Sequence, residues 1–313
     1  MKKQISLLLG LSAFVCLLAV TSCKDDPEPP RAEIFFEVDE NNPYSIQFTA
    51  MTENATSYSW DFGDQEGVSA LKEPQYTYAM SGDYTVSLKA MGEGGEIEVT
   101  KQISIAASLL EMLTGGPAAS NGKTWVLSKT ASNSDGAFSF SGTVYQAAPN
   151  DVLTMFGIGG EYDNEYTFHY DGKYSVAPKN GQVLASVIHA YVNNTIVGEP
   201  IWDLGLAVET FTAPTNSTFT LHQEDLSFTA RQENPQTQTV SDVETITIND
   251  ADYVSFSEDA YFGILTYETK IIIRDITSNR MTVSMLVSTL SPEAYPEDFM
   301  KPSIMYTLSF DAK

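Results

Sequence analysis

Two stretches of the chain place side chains that could do chemistry. In Glu161-Tyr162-Asp163-Asn164-Glu165 every second residue is an acid. On a strand, alternate residues share a face, so Glu161, Asp163 and Glu165 would stand side by side. Carboxylates flanking a glycosidic bond are what its hydrolysis uses, and crowded carboxylates raise one another's pKa as an acid catalyst needs. The chain holds 41 acids against 17 basic residues, so such a pattern also arises by composition alone. Gly157-Ile158-Gly159-Gly160 just before it would put Glu161 in a loop. A solvated face, or a calcium site built from Asp163, Glu165 and backbone carbonyls, is the better expectation. Structural calcium is thus the one cofactor the sequence leaves room for, and no catalytic residue is assigned.

The second stretch is Gly198-Glu199-Pro200-Ile201-Trp202-Asp203, where loop-forming residues set an indole beside an acid. Sugar rings pack their C–H faces on exposed aromatic planes while carboxylates and amides take the hydroxyls. Trp202 and Asp203 lead this set, although a core position suits the indole equally. Tyr162, Tyr191, Tyr261 and Trp125 complete the candidates; Trp125 alternates in Thr124-Trp125-Val126-Leu127 and reads better as core. His169, His189 and His222 are too scattered to suggest a metal triad. No Gly-x-Ser-x-Gly elbow, phosphate loop or His-Glu-x-x-His is present, so catalysis is not what the chain advertises.

The elements that must position these residues are strands. Ile46-Phe48-Ala50, Tyr58-Trp60-Phe62, Tyr84-Val86-Leu88-Ala90 and Ile97-Val99 through Ile105 alternate, with turns at Gly63-Asp64, Ser81-Gly82-Asp83 and Gly92 to Gly95. This spacing predicts a small β-sandwich over residues 33–106. Tyr58-Ser59-Trp60-Asp61-Phe62-Gly63-Asp64, Pro74-Gln75-Tyr76-Thr77-Tyr78 and Gly82-Asp83-Tyr84-Thr85-Val86-Ser87-Leu88 resemble the polycystic kidney disease (PKD) domain, with Gln65 where that family usually has Gly. The resemblance implies an immunoglobulin-like sandwich serving as an extracellular spacer. Trp60 reads as core rather than sugar platform, and Asp61 and Asp64 as turn chemistry.

Ser108-Leu109-Leu110-Glu111 is a capping-box pattern and Gly115-Gly116-Pro117 a stop, so residues 107–119 form a linker with a short helix. Residues 120–313 carry about ten further strand patterns, including an Asp171-Gly172 hairpin signal; Leu184, Val187, Ile188 and Tyr191 fit a helix face. The fold class is therefore all-β, a PKD-like sandwich followed by a larger jelly-roll-type β-sandwich, with a lipocalin-like barrel as the alternative.

The N-terminus sets the address. Lys2 and Lys3 precede an apolar run over residues 5–20, too short and too terminal for a permanent span, which reads as a signal peptide over residues 1–22. Val20-Thr21-Ser22-Cys23 resembles the bacterial lipobox, implying lipidation of Cys23 and a membrane held through acyl chains such as palmitate. Lys24-Asp25-Asp26 is similar to the export signal of surface lipoproteins in the Bacteroidota, which implies an outer-membrane protein facing the exterior. Pro27-Glu28-Pro29-Pro30 makes residues 23–32 an extended tether.

Cys16 and Cys23 are the two cysteines, so the processed chain has no disulfide or free thiol, which excludes thiol catalysis and Cys-based zinc. Net charge is −24 and becomes −26 once Lys2 and Lys3 leave with the signal, which argues against nucleic acid as a partner.

Leu113-Thr114-Gly115-Gly116, Gly122 to Leu127, Tyr162-Asp163-Asn164-Glu165-Tyr166-Thr167-Phe168 and Asp259-Ala260-Tyr261-Phe262-Gly263 resemble C-terminal domains of PKD-containing lipoproteins of polysaccharide-utilisation systems. That resemblance implies non-catalytic capture of extracellular polysaccharide, a β-glucan among the candidates, beside an outer-membrane importer complex. A structural or adhesive role toward another protein is the alternative. The Glu-x-Asp-x-Glu strand is also similar to the one with which a family of jelly-roll endoglucanases arranges nucleophile, helper and acid/base, which makes a β-glucan hydrolase using Glu161, Asp163 and Glu165 the third reading.

Overall fold

The computed structural model describes residues 26–40, 42–257 and 260–313. The signal segment, Cys23, Lys24-Asp25 and Asp259 lie outside the described residues. The chain divides into two compact units that part near residues 104 and 105, with the short stretch 79–82 grouped with the second.

In the first unit the strands are β1 (Arg31–Asp39), β2 (Asn42–Glu53), β3 (Ser57–Asp61), β4 (Val68–Ser69), β5 (Gln75–Thr77), β6 (Gly82–Gly92) and β7 (Gly95–Ile105). They form two antiparallel sheets, β1-β2-β5 and β4-β3-β6-β7. Alternation builds the core: Ile46, Phe48 and Ala50 on β2, Trp60 on β3, and Val86, Leu88 and Ala90 on β6 all turn inward. Phe48 meets Trp60 at 5.7 Å and Phe62 stacks on Tyr76 at 4.0 Å between ring centroids. Trp60 is core and its Nε1–H donates to the Leu71 carbonyl at 2.8 Å, so the indole loses no hydrogen bond on burial. Asp61 accepts from the Gly63 amide at 2.8 Å, and Asp64 from the amides of Glu66 and Gly67 at 3.1 Å and from the Tyr76 hydroxyl. Burial would raise the Asp64 pKa, but these donors outweigh it and hold the group below the ordinary carboxylate value. Both acids serve their own turns.

The second unit opens with α1 (Leu109–Thr114), whose N-cap Ser108 accepts from the Glu111 amide at 3.1 Å and whose end is Gly115, as the capping pattern predicts. There follow β8 (Lys123–Leu127), β9 (Gly136–Phe138), β10 (Val144–Ala147), α2 (Val152–Met155), β11 (Glu165–Phe168), β12 (Tyr174–Ala177), β13 (Gln182–Ser186), α3 (Val187–Asn193), β14 (Ile196–Ile201) and β15 (Leu206–Thr210). The remaining strands are β16 (Phe219–Ala230), β17 (Glu233–Asn234), β18 (Thr239–Val240), β19 (Glu244–Phe256), β20 (Ile271–Ile276), β21 (Arg280–Val287) and β22 (Ile304–Ala312). Among the described residues, no helix is long and apolar enough to cross a membrane.

These elements make an all-β sandwich of unequal layers. The larger layer runs β12-β11-β8-β22-β21-β20-β19-β16, with β9 attached to β22 and β10 to β9. It curls until the turn before β12 meets the chain entering β16: Lys173 bridges Thr218, and the Tyr174 amide donates to the Ser217 carbonyl at 2.9 Å. Trp125, Tyr166, Phe168, Phe219, Val283 and Phe310 fill its concave side, together with the inner segment Ala260, Tyr261, Phe262, Ile264 and Leu265. The smaller layer, β13-β15-β14, joins that segment through a parallel bridge between Ala185 and Leu265. On the opposite face of the large sheet Ile272, Leu286 and Met305 pack with Phe140, Leu226 and Phe228. Hydroxyls buried there pair across strands, Ser284 with Thr307 at 2.7 Å and Thr282 with Ser309 at 3.1 Å, which leaves neither unsatisfied.

Two local expectations shift. The Asp171-Gly172 hairpin closes on His169 and Lys173, a three-residue loop with Gly172 at φ +86°, because the Gly172 amide reaches the His169 carbonyl at 3.0 Å. The helix face expected from Leu184 to Tyr191 is split: Leu184 belongs to β13, and only Val187 onward is helical, with Ser186 as the N-cap accepting from the His189 amide.

Candidate functional site

The acidic segment does not form a catalytic strand. Residues Gly159–Asp163 wind into a 3₁₀ turn, and the strand begins at Glu165. Glu161 points inward, its carboxylate held by the Asn164 amide nitrogen at 2.7 Å. Burial pushes its pKa up to about 7, although the Asn164 and Leu184 hydrogen bonds oppose the rise. Asp163 is exposed. Glu165 lies on the face of β11 opposite Tyr166 and Phe168, where Lys179 and Lys313 grip it at 2.8 and 2.6 Å and hold its pKa below the ordinary value. The expectation that Glu161, Asp163 and Glu165 share one face is therefore wrong. The turn removes the two-residue period that would align them.

The same geometry bears on the calcium candidates. Asp163 and Glu165 do border one depression, but it also holds Lys179 and Lys313, and a divalent cation there would have to displace both ammonium groups. Among the described residues no group of three or more His, Cys, Asp or Glu gathers as a metal site.

Three of the aromatic candidates are core. Trp125 is fully buried, with its Nε1–H donating to the Leu113 carbonyl at 2.9 Å and the Lys123 ammonium 4.3 Å above its ring. Tyr162 is buried and its hydroxyl accepts from the Leu153 amide at 3.1 Å. Tyr261 is buried against Tyr166 and Phe211, so it cannot meet a polymer. Trp125 lies on the paired strand β8, Tyr261 in the inner segment and Tyr162 in the 3₁₀ turn that packs inward. Tyr191 is half exposed on α3 but does not line the cleft beside Trp202.

Trp202 behaves differently. After β14 the chain makes a single 3₁₀ turn, Trp202–Leu204, and reverses at Gly205 (φ +62°) into β15. A side chain on Gly205 would meet Thr289 Cγ2 at 2.5 Å, so only glycine permits this approach. The Tyr306 hydroxyl donates to the Leu204 carbonyl and the Val187 amide to the Gly205 carbonyl at 2.9 Å, which pins the turn from two sides. The indole is left 60% exposed, with Asp203 exposed beside it.

Both residues border a cleft of about 220 Å³ whose floor is Ala137, Ile304 and Tyr306 and whose far wall is the β17–β18 hairpin. From that hairpin come Glu233, Pro235 and Gln236. Glu233 accepts from the Thr289 hydroxyl, and its amide donates to the Ser303 carbonyl at 2.8 Å. Gln236 Nε2 donates to the Tyr145 carbonyl at 2.6 Å. The cleft thus offers one well-exposed aromatic plane, the carboxylates of Asp203 and Glu233 and the amides of Gln146 and Gln236 on a supported frame. That set can stack a ring and accept hydrogen bonds from its hydroxyls.

Sequence reasoning missed Glu233, Gln236 and Thr289. The polar run Glu233-Asn234-Pro235-Gln236 signals a turn and so a rim position, whereas nothing near Thr289 or Tyr306 announces a cleft.

Comparison with known proteins bears mainly on the first unit. Residues 27–107 match the family model of the PKD domain. The PKD1 domain of Vibrio anguillarum Epp is 25% identical and covers 26% of this chain and 99% of its own, with a TM-score of 0.24. The PKD1 domain of the Vibrio cholerae metalloprotease PrtV is 24% identical over 26% of this chain and 100% of its own, with a TM-score of 0.23. A structure described as concerning the promiscuous specificity of carbohydrate-binding modules of the β-sandwich superfamily is 12% identical, covering 91% of this chain and 92% of its own at a TM-score of 0.24. Residues 27–107 form a PKD domain, and the larger β-sandwich comes after it in the chain.

Proposed function

We propose that this chain is a lipid-anchored surface protein whose PKD domain carries a C-terminal sandwich that binds extracellular polysaccharide without cleaving it. The observation that carries the reading is Trp202, an exposed indole at a cleft that Asp203, Glu233, Gln236 and Thr289 also line. The turn that carries it is held by Gly205, by the Tyr306 hydroxyl on the Leu204 carbonyl and by the Val187 amide on the Gly205 carbonyl, which places the indole at the cleft where a sugar ring could stack.

Net charge directs the choice of ligand. At −24 the chain repels anionic polymers, and the cleft adds two carboxylates and no cation, so a neutral glycan such as a β-glucan suits it. The separation of Glu161 from Glu165 supports binding over hydrolysis.

The anchor rests on the Cys23 motif and the Pro-rich tether, which would set the sandwich at the outer face beside an importer.

The test is native affinity electrophoresis of residues 24–313 in gels containing neutral glycans, β-glucans included. Retardation by at least one glycan, weakened about ten-fold by Trp202→Ala, is expected. Unchanged mobility throughout the panel would refute the reading.

A further inference from the structure

Beside the Trp202 cleft lies a smaller cavity, of about 50 Å³, that almost no polar atom faces. Leu184, Leu206 and Leu308 line it and are buried, while the exposed Gln146, Ala147 and Pro149 stand at its rim. The two spaces share Ala137, Gln146, Leu204 and Tyr306, so they meet along one wall. The Tyr306 hydroxyl donates to the Leu204 carbonyl there, which pairs two of the wall's polar groups with each other. Leu204 is two residues from Trp202, so their Cα atoms are no more than about 7 Å apart. A sugar unit on the indole therefore lies within a substituent's reach of the cavity.

Polarity and size decide which substituent fits. A hydroxyl turned into such a space gives up its hydrogen bonds to water without replacement, which is costly. An unsubstituted sugar thus cannot fill it, and a carboxylate or sulfate is worse placed still. Apolar cavities stay dry and take apolar groups instead; at roughly 10–15 Å³ for each water-sized unit, this one holds about three or four heavy atoms. That is the size of an acetyl group and too little for a longer acyl chain. At the shared rim the Gln146 side chain is exposed and, among the described residues, makes no hydrogen bond within the chain.

We propose that this cavity receives an acetyl substituent, so that the ligand of the Trp202 cleft is a neutral acetylated saccharide. The inference rests on the glycan reading of that cleft and adds the chemistry of the sugar. The methyl end occupies the leucine-lined interior, and the acetyl oxygen stays at the rim, where the Gln146 amide donates to it. Linkage through nitrogen or through oxygen presents the same group, and the test separates the two.

Residues 24–313, which contain both folded units, are titrated calorimetrically with two pairs of neutral glycans. Triacetylchitotriose and cellotriose share a backbone linkage and differ by an acetamido group in place of one hydroxyl on each ring. O-acetylated glucomannan is compared with its alkali-deacetylated form. The acetylated member of at least one pair should bind about ten-fold tighter than its counterpart, through the apolar surface it buries. Preference within the first pair assigns an amide-linked acetyl group, and within the second an ester. Ala147→Leu fills the cavity from its exposed rim and should erase the preference while affinity for the plain member is unchanged. Val152→Phe fills it from α2, with the same outcome expected.

Equal or weaker binding of the acetylated member in both pairs overturns the proposal, and so does a preference that survives both filled variants. Gel retardation by glycans with no acetyl preference sinks this subsite alone and leaves the Trp202 reading standing. Silence of every glycan in gels and calorimetry alike sinks the Trp202 reading and this one with it.

Discussion

Gly159–Asp163 and Trp202–Leu204 are both single 3₁₀ turns that set an aromatic residue next to an acid, and they end up facing opposite ways. The first tucks Glu161 and Tyr162 into the sandwich; the second buries none of its residues. The residue after each turn, and the groups that hold it, account for the difference. Asn164 ties the first turn down, its side chain donating to Glu161 and to the Gln182 carbonyl while accepting from the Lys179 amide. Gly205 and Tyr306 hold only the backbone of the second, which leaves its side chains outside. Aromatic-acid pairs in a sequence are thus ambiguous until the anchoring of the turn is known.

This contrast can be broken or sharpened by substitution. The largest effect is expected at Tyr162: Tyr162→Ala should cost about 3–5 kcal/mol by analogy with other buried aromatic truncations, measured by urea unfolding. A loss below about 1 kcal/mol would mean the first turn is not packed inward.

Next comes Glu161. Its folded pKa of about 7 exceeds the unfolded 4.5, so the protonated group contributes stability that is complete below about pH 4.5 and lost as pH rises through 7. Compared with Glu161→Gln, the native chain should lose on the order of 2 kcal/mol between those values. Parallel stability–pH curves for the two proteins would contradict the buried carboxyl.

Trp202→Ala, by contrast, should leave stability within about 0.5 kcal/mol and reduce glycan affinity about ten-fold, or roughly 1.4 kcal/mol. A clear drop in melting temperature would show that the indole is structural after all. The smallest effect belongs to Glu165→Gln, which loosens Lys179 and Lys313 on a half-exposed edge and should cost about 1 kcal/mol or less, shrinking with added salt.

Much of the scaffold was legible in residue order. Alternation on β2, β3 and β6, the turns at Asp61 and Asp64, and the Ser108 cap with its Gly115 stop are interactions within a few residues, so their patterns appear directly in the sequence. The site was legible only in part. Trp202-Asp203 stood out as an aromatic-acid pair in a loop, but Glu233, Thr289 and Tyr306 reach the same cleft from distant strands. The Glu-x-Asp-x-Glu pattern misled because it assumes a strand where glycines allow a turn.

By itself, then, the sequence determined an all-β chain with a PKD domain, its inward aromatics, its helix caps and its strong negative charge, all of which arise from period, turn chemistry and composition. Only the tertiary structure decided the fate of the individual acids. Glu165 meets Lys313 across 148 positions, His189 meets Glu209 across 20, and the large sheet curls until Lys173 bridges Thr218. Whether a carboxylate is neutralised, buried or offered to a ligand depends on the groups that long-range strand pairing brings against it, and no local pattern carries that information.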